Sequence, residues 1–361
     1  MGKHQNTVLI TGSSGLVGSE AVEFFSRLDW EVCGIDNNLR KHFFGQNGDT
    51  TWNLNRLKKT VRNFEHFPID IRDRKAVLEL FQTKPFDLII HCAAQPSHDF
   101  AKYDPFLDFE VNATGTLNLL EAYRLHVPRA VFIHMSTNKV YGDAPNELPL
   151  AELETRWDYL RKEDYEGIDE SMRIDQSKHS LFGASKLAGD IMAQEYARYF
   201  GLPIGIFRGC CLTGPNHSGA ELHGFLAYLV KAAVRGIEYK VFGYKGKQVR
   251  DQLHSYDVLT VFYEFYKNPR PGEVYNLGGG RENSSSVLES IQWLGKKLGR
   301  KVRWTYVDEN RSGDHTCYIS NMKKFKTHYP AWKVTRSLDA IMEELVKAQV
   351  GFLEEEGAAR P

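Results

Sequence analysis

The stretch Thr7-Val8-Leu9-Ile10-Thr11-Gly12-Ser13-Ser14-Gly15-Leu16-Val17-Gly18 decides the fold. A short apolar run with strand character leads into three glycines spaced three apart, and a helical pattern starts at once. Glycines there permit a tight turn, close approach of backbone N–H groups to a pyrophosphate at the helix N-terminus, and close packing of helix on strand. The next apolar run, Glu31 to Ile35, ends at Asp36. A carboxylate at that separation accepts both adenosine ribose hydroxyls and repels the extra phosphate of NADP. Gly12, Ser14, Gly15, Leu16, Val17, Asp36 and Asn37 are therefore expected to bind NAD. Arg40 and Lys41 raise NADP as the alternative, but Asp36 holds the discriminating position; Arg40 is kept with the cofactor loop, its plainer reading being a solvated basic loop.

Outward from this stretch, short apolar runs alternate with helix-periodic ones, the sequence form of successive βαβ units. Strands are expected at Thr7 to Ile10, Glu31 to Ile35, Phe64 to Pro68, Asp87 to Cys92, Ala130 to Met135 and Pro203 to Phe207, with helices notably at Phe106 to Leu125 and Ala184 to Phe200. The fold class is α/β: a Rossmann-type, doubly wound parallel sheet with a smaller C-terminal α/β substrate lobe. With 361 residues the chain exceeds the roughly 250–300 at which single cores stop growing. The expected division is a cofactor domain over 1–212, a mainly substrate-binding lobe over 213–353 and a frayed tail over 354–361. Some segments are exchanged between the lobes, and 152–178 makes an excursion over the site. Val274 to Leu277, Val287 to Leu298 and Val302 to Tyr306 read as short elements of the lobe.

Asp70-Ile71 after the third strand suits the adenine edge, and Ala93-Ala94-Gln95 after the fourth gives a small-residue floor near the nicotinamide; Asn112 is counted with this shell. Lysine plus arginine equals aspartate plus glutamate at 46 each, so no overall field favours nucleic acid or an anionic membrane. The first residues lack signal-peptide regions and no apolar run is long enough to span a bilayer. Cys33, Cys92, Cys210, Cys211 and Cys317 lack zinc or redox-pair spacing. A cytoplasmic location is expected, and no metal site.

With Gly12-x-x-Gly15-x-x-Gly18, Ser136-Thr-Asn-Lys-Val-Tyr-Gly142 and Ser185-Lys186, the chain resembles the extended short-chain dehydrogenases/reductases that act on nucleotide sugars. Within them it looks most like the CDP-paratose (CDP-tyvelose) 2-epimerases, through Ser136 to Asp143, Glu154-Thr-Arg156, Asp169-Glu-Ser171, His179-Ser180, Gly246-Lys-Gln-Val-Arg-Asp251 with His254, and Asn276-Leu-Gly-Gly279. The resemblance implies transient oxidation of a sugar hydroxyl by bound NAD, with hydride returned to the other face. By motif position Thr137 polarises the reacting oxygen and Lys186 grips the nicotinamide ribose. Asn138 and Lys139 stand where the related dehydratases carry an Asp-Glu pair, so elimination of water is disfavoured. A nucleoside-diphosphate sugar is the expected ligand. Arg250 and Arg311 match the family's diphosphate positions; Arg208 is a weaker candidate whose plainer reading is a strand-end salt bridge, and His179, Asn216, His217 and the run Glu221-Leu-His223-Gly-Phe225 are expected to line the substrate pocket. His254 and Asp257 either join them or brace the lobe. A homodimer through the helices at 106–125 and 184–200 is also implied.

One departure matters most. The family's proton-accepting tyrosine lies four residues before the lysine, and that position is Phe182. Three explanations compete: a deliberate disarming substitution, an enzyme with another base, and a binding protein without chemistry. Leu181, in place of the family's proline, and Cys210-Cys211, in place of polar residues, favour a natural divergent branch. The candidate replacement bases are His179, Lys139, Tyr141 and the two cysteines. A net NAD-linked dehydrogenase is the remaining alternative.

Overall fold

The computed structural model describes residues 5–220, 223–311 and 313–358. In strand β1 (Thr7–Thr11), Val8 and Ile10 belong to one hydrophobic cluster and Leu9 to another, all fully buried. A strand that alternates between two apolar layers must be covered on both faces, the condition of a parallel sheet. The others are β2 (Glu31–Ile35), β3 (Phe64–Phe67), β4 (Leu88–His91), β5 (Val131–Thr137), β6 (Ile204–Gly209) and β7 (Val274–Leu277). All neighbours are parallel, in the order β7-β6-β5-β4-β1-β2-β3. The direction of winding reverses between β1 and β4, and Thr11 pairs with both Ile35 and His91. Three strand ends thus sit level around the crevice where doubly wound sheets bind ligands.

One face is covered by helix α1 (Leu16–Ser26), through Val17, Ala21, Val22 and Phe25, and by helix Ser255–Lys267. The other carries helices Arg74–Thr83, Gly115–His126 and Ser180–Phe200. A third cluster, with Leu229, Leu294, Ile341 and Leu345, fills the smaller lobe. There helices Phe225–Arg235, Val287–Leu298 and Leu338–Ala358 pack beside the parallel pair Tyr239–Phe242 and Trp304–Val307. Ser286 and Glu289 form a reciprocal capping box on the second of these helices.

Four expectations are corrected. Val274–Leu277 is not a lobe element but the edge strand of the main sheet, in register from Val274 with Ile206 to Leu277 with Gly209; its buried Asn276 is satisfied by Tyr141 Oη and the Ile168 carbonyl. The strand expected at 302–306 is Trp304–Val307, a register set by pairing with Tyr239–Phe242. Segment 152–178 does not cross the site. Its hairpin (Leu150–Glu152 with Trp157–Tyr159) is held to the lobe by Trp157 N–H donating to the Lys247 carbonyl and by a two-bond Arg281–Asp158 pair, and none of its residues lines the cleft. Helix Leu338–Ala358 continues past Glu354, where fraying was expected to begin, while 359–361 lie outside the described residues.

Candidate active site

A cleft of about 440 Å³ runs from the glycine loop to the smaller lobe, within the roughly 300–1,000 Å³ range of small-molecule sites. At its cofactor end Gly18 has a strict steric role. A Cβ there would lie 2.0 Å from the Gly12 carbonyl oxygen, so the first turn of α1 reaches the loop only without a side chain. Gly15 caps α1 with no side-chain hydrogen bond, and the Ser13 and Ser14 hydroxyls are buried without partners. Helix-end donors are thus left for an anion, while the two hydroxyls lie beneath the loop and do not line the cleft. The Asp36 carboxylate, at the end of β2, accepts N–H bonds from Ser14 (2.9 Å) and Asn38 (2.7 Å), which fix it beside the loop with lone pairs to spare for a diol. Asn37, Asp70, Ile71, Ala93 and Ala94 complete this end, with Leu16 and Val17. Asp70 is held in turn by Asn37 and Arg72. These residues fit NAD.

At the middle of the cleft, Thr137 ends β5 and its Oγ1 accepts the Lys139 N–H at 3.3 Å. Lys186 rises from helix Ser180–Phe200, and its ammonium donates to the Met135 carbonyl at 2.9 Å. Burial lowers Lys186 to about 8, against the opposing pull of Asp190, Cys92 and Asp108. Phe182, one turn before it, is buried and lines the cleft. Asn138 donates to Cys210 Sγ at 3.7 Å, and the Lys139 ammonium to the Gly313 carbonyl at 2.9 Å. Burial also brings Lys139 to about 8, with Asp314 resisting and Arg250 assisting.

At the far end stand Asn216, His223, Arg250 and Arg311. Arg250 donates to Asp314 and to the His315 carbonyl. Burial pushes the Asp314 carboxyl up, but Arg250, Lys139 and Arg311 together pull it well below the usual carboxylate range. Two guanidinium groups, partly balanced by one carboxylate, suit a diphosphate.

Several predicted residues lie elsewhere. Ser14 sits beneath the loop, its carbonyl accepting from Asn53. Gln95 and Asn112 form a buried network: Asn112 Nδ2 donates to the Gln95 carbonyl, Asp108 and Ser185 Oγ. This ties the π-turn Glu110–Thr114 to the helix of Lys186, so the pair braces the site instead of lining it. Arg208 does not line the cleft: its guanidinium bonds Asp190 (2.9 and 3.0 Å) and Tyr141 Oη (3.2 Å). His179 packs against Gly142, outside the cleft lining. Tyr141 is bonded to Asn276 and also lies outside it, so neither of these candidate bases lines the cleft. Arg40 lines the cleft and is braced there, donating to the Ser218 carbonyl at 2.8 Å and stacking on Phe44, so it is not part of a solvated basic loop. His254 caps helix Ser255–Lys267 and Asp257 accepts from Thr335 and Arg336, so both brace the lobe. Of the run Glu221 to Phe225, Glu221 and Leu222 lie outside the described residues.

His217, expected at the pocket, lines the cleft, whereas sequence reasoning missed His98, Cys92, Gln252 and the strand Tyr239–Phe242, all of which line it too. His98 had one signal: it follows Ser97, a helix cap, in the loop after β4, which points at the crevice. The lobe residues had none.

The chain matches the NAD dependent epimerase/dehydratase family over residues 8–278. It is similar to the CDP-paratose 2-epimerase of Salmonella typhi, at 34% identity over 88% of this chain and 91% of that protein. It is also similar to the UDP-glucuronate 4-epimerase of Thermodesulfobacterium geofontis, at 27% over 91% and 93%. Among solved structures, UDP-glucuronic acid 4-epimerase from Bacillus cereus, in complex with UDP-glucuronic acid and NAD, superposes with a TM-score of 0.77 at 22% identity, covering 96% of this chain and 99% of that one.

Proposed function

The chain belongs to the NAD dependent epimerase/dehydratase family, and from that premise we propose that it is a nucleotide-sugar epimerase that oxidises and re-reduces one carbinol carbon, carbon 2 being the first candidate by similarity to the Salmonella enzyme. The observation that carries the reading is a single cleft joining the Gly18–Asp36 cradle, the Thr137–Lys186 pair and the two arginines Arg250 and Arg311. When bound, NAD supplies the acceptor and then the donor of the carbinol hydride, so no net redox change results. Thr137 polarises the reacting oxygen, Lys186 orients the nicotinamide ribose, and Arg250 with Arg311 holds the diphosphate. Asn138, tethered to Cys210, and Lys139, tethered to Gly313, offer no carboxylic acid and carboxylate pair for removing water. This favours epimerisation over dehydration.

Phe182 supports a second reading, a silent binding protein, since loss of a positioned base costs about 100-fold to 10,000-fold in rate. The test is incubation of the purified protein with CDP-, UDP- and GDP-sugars, followed by chromatography of epimers and absorbance of the cofactor. Formation of an epimer from any of them supports the enzyme. Bound NAD and bound nucleotide sugar without an epimer support the binding protein.

A further inference from the structure

The phenol that Phe182 lacks would have projected from a ring that already has an imidazole against it. The His98 and Phe182 rings meet edge to face with centroids 4.8 Å apart, and both line the cleft beside Thr137 and Lys186. The His98 ring is also held along its Nδ1–Cε1 edge. Its Nδ1 is 2.9 Å from Ser180 Oγ, and Ser180, the first residue of the helix that carries Phe182 and Lys186, has φ +58. Non-glycine residues rarely adopt that conformation, and such strain gathers at functional sites. Gly313 approaches the same edge, where a Cβ would lie 2.6 Å from His98 Cε1, 2.7 Å from Nδ1 and 3.5 Å from Ser180 Oγ. A strained serine, a residue that must be glycine and an aromatic edge all serve one ring orientation.

We infer that His98 takes the proton-acceptor role that Phe182 has lost, with Ser180 as its positioning residue. The inference rests on the epimerase reading above. Ser180 Oγ accepts the Gly183 N–H at 3.2 Å, and the proton-acceptor role requires the tautomer in which it also accepts Nδ1–H of His98. That tautomer leaves the Nε2 lone pair for the substrate. In the oxidative step the sugar O–H bond breaks and an Nε2–H bond forms. The electron pair left on oxygen closes the C=O bond as the carbon's hydride departs to NAD. The reductive step reverses both transfers on the other face of the sugar, so protons and electrons balance over the cycle.

The groups facing His98 are Lys139, Arg311 and His223, which disfavour an imidazolium, and Asp314, which favours it. Burial, with Lys139 and Arg311, lowers His98 to about 3; the ring is therefore neutral at working pH, and its role as base requires bound ligand to raise its proton affinity. A diphosphate on Arg311 would offset part of the cationic opposition just when the proton must be accepted. Lys139, brought to about 8, is the rival base and predicts a different pH profile.

The experiment compares parent, H98Q, F182Y, H98Q/F182Y and K139M on the same CDP-, UDP- and GDP-sugars, with calorimetric affinity for NAD and for each nucleotide sugar as the control. The expected result is a parent rate nearly flat over about pH 5.5 to 7.5 and a loss of about 100-fold to 10,000-fold in H98Q, with affinities changed by less than about threefold. H98Q/F182Y should recover at least about tenfold over H98Q, a rescue that a merely structural histidine would not permit. Retention of rate in H98Q within about tenfold of the parent overturns the inference, as does a rate that climbs with pH to a midpoint near 8 and disappears in K139M alone. A parent that binds both ligands yet epimerises only after F182Y also overturns it, while leaving the cleft's assignment standing. A parent that binds no nucleotide sugar overturns both.

Discussion

Arg208→Met should destabilise the fold and leave ligand affinity almost untouched. The guanidinium is 3% exposed and Asp190 is fully buried. They share two hydrogen bonds, and Asp190 also accepts from Ser136 Oγ (2.5 Å) and Gln194 Nε2 (2.6 Å). Removing the arginine leaves a carboxylate in a dry interior without its counter-charge, a change that costs about 3–5 kcal/mol. At roughly 2.1 cal/mol/K of unfolding entropy per residue, 361 residues give about 0.76 kcal/mol/K, so the melting temperature should fall by about 4–7 °C. Replacing both partners, as Asp190→Leu with Arg208→Met, removes the orphaned charge and should recover part of that loss, because apolar replacement of a buried pair is often neutral. The assays are thermal melts, with calorimetry of NAD and a CDP-sugar performed well below the transition. A single variant that melts like the parent but binds the nucleotide sugar about 100-fold more weakly would refute the structural assignment and restore Arg208 to the substrate site.

Two other outcomes follow from the same structure. His91, His98, His134, His217, His223 and His315 are all lowered from their ordinary value, chiefly by burial. Above about pH 6.5 neither folded nor unfolded chain protonates them; below it the unfolded chain does and the folded chain does not, so stability falls by about 1.36 kcal/mol per pH unit for each proton. Melting temperature should therefore drop between about pH 7 and pH 5 with net proton uptake on unfolding, and a flat profile would contradict the buried neutral assignments. Helices 105–126 and 180–200 leave Phe106 and Tyr199 more than 80% exposed, which suits the four-helix contact of a homodimer. Light scattering should give a dimer for the parent and a monomer for F106D/Y199D, and a monomeric parent removes that reading.

What lay in the sequence alone was whatever depends on neighbours along the chain. Gly12 to Gly18 and Asp36 are separated by one helix, and the backbone constraints of a strand–turn–helix unit place them together whatever the rest of the molecule does. Thr137 and Lys186 were legible for a related reason: each is positioned by its own strand end or helix turn, in a motif of fixed spacing. Phe182 was conspicuous because it interrupts that spacing. The tertiary structure decided everything that depends on which side of an element a distant residue packs. Arg208 and Arg250 both stand on strands, Arg250 in the motif with the better claim to a phosphate; the buried Asp190 behind β6 takes Arg208 out of the cleft, while Asp314 and the His315 carbonyl hold Arg250 at it. Val274–Leu277 could not be assigned to the main sheet from its four residues, because its partner Ile204–Gly209 lies more than sixty residues earlier and hydrogen-bond pairing leaves no local mark. His98 belongs to the same class. It meets Ser180 and Phe182 of one helix and Gly313 of a loop, and a contact assembled from three separate segments has no periodicity for a sequence to carry.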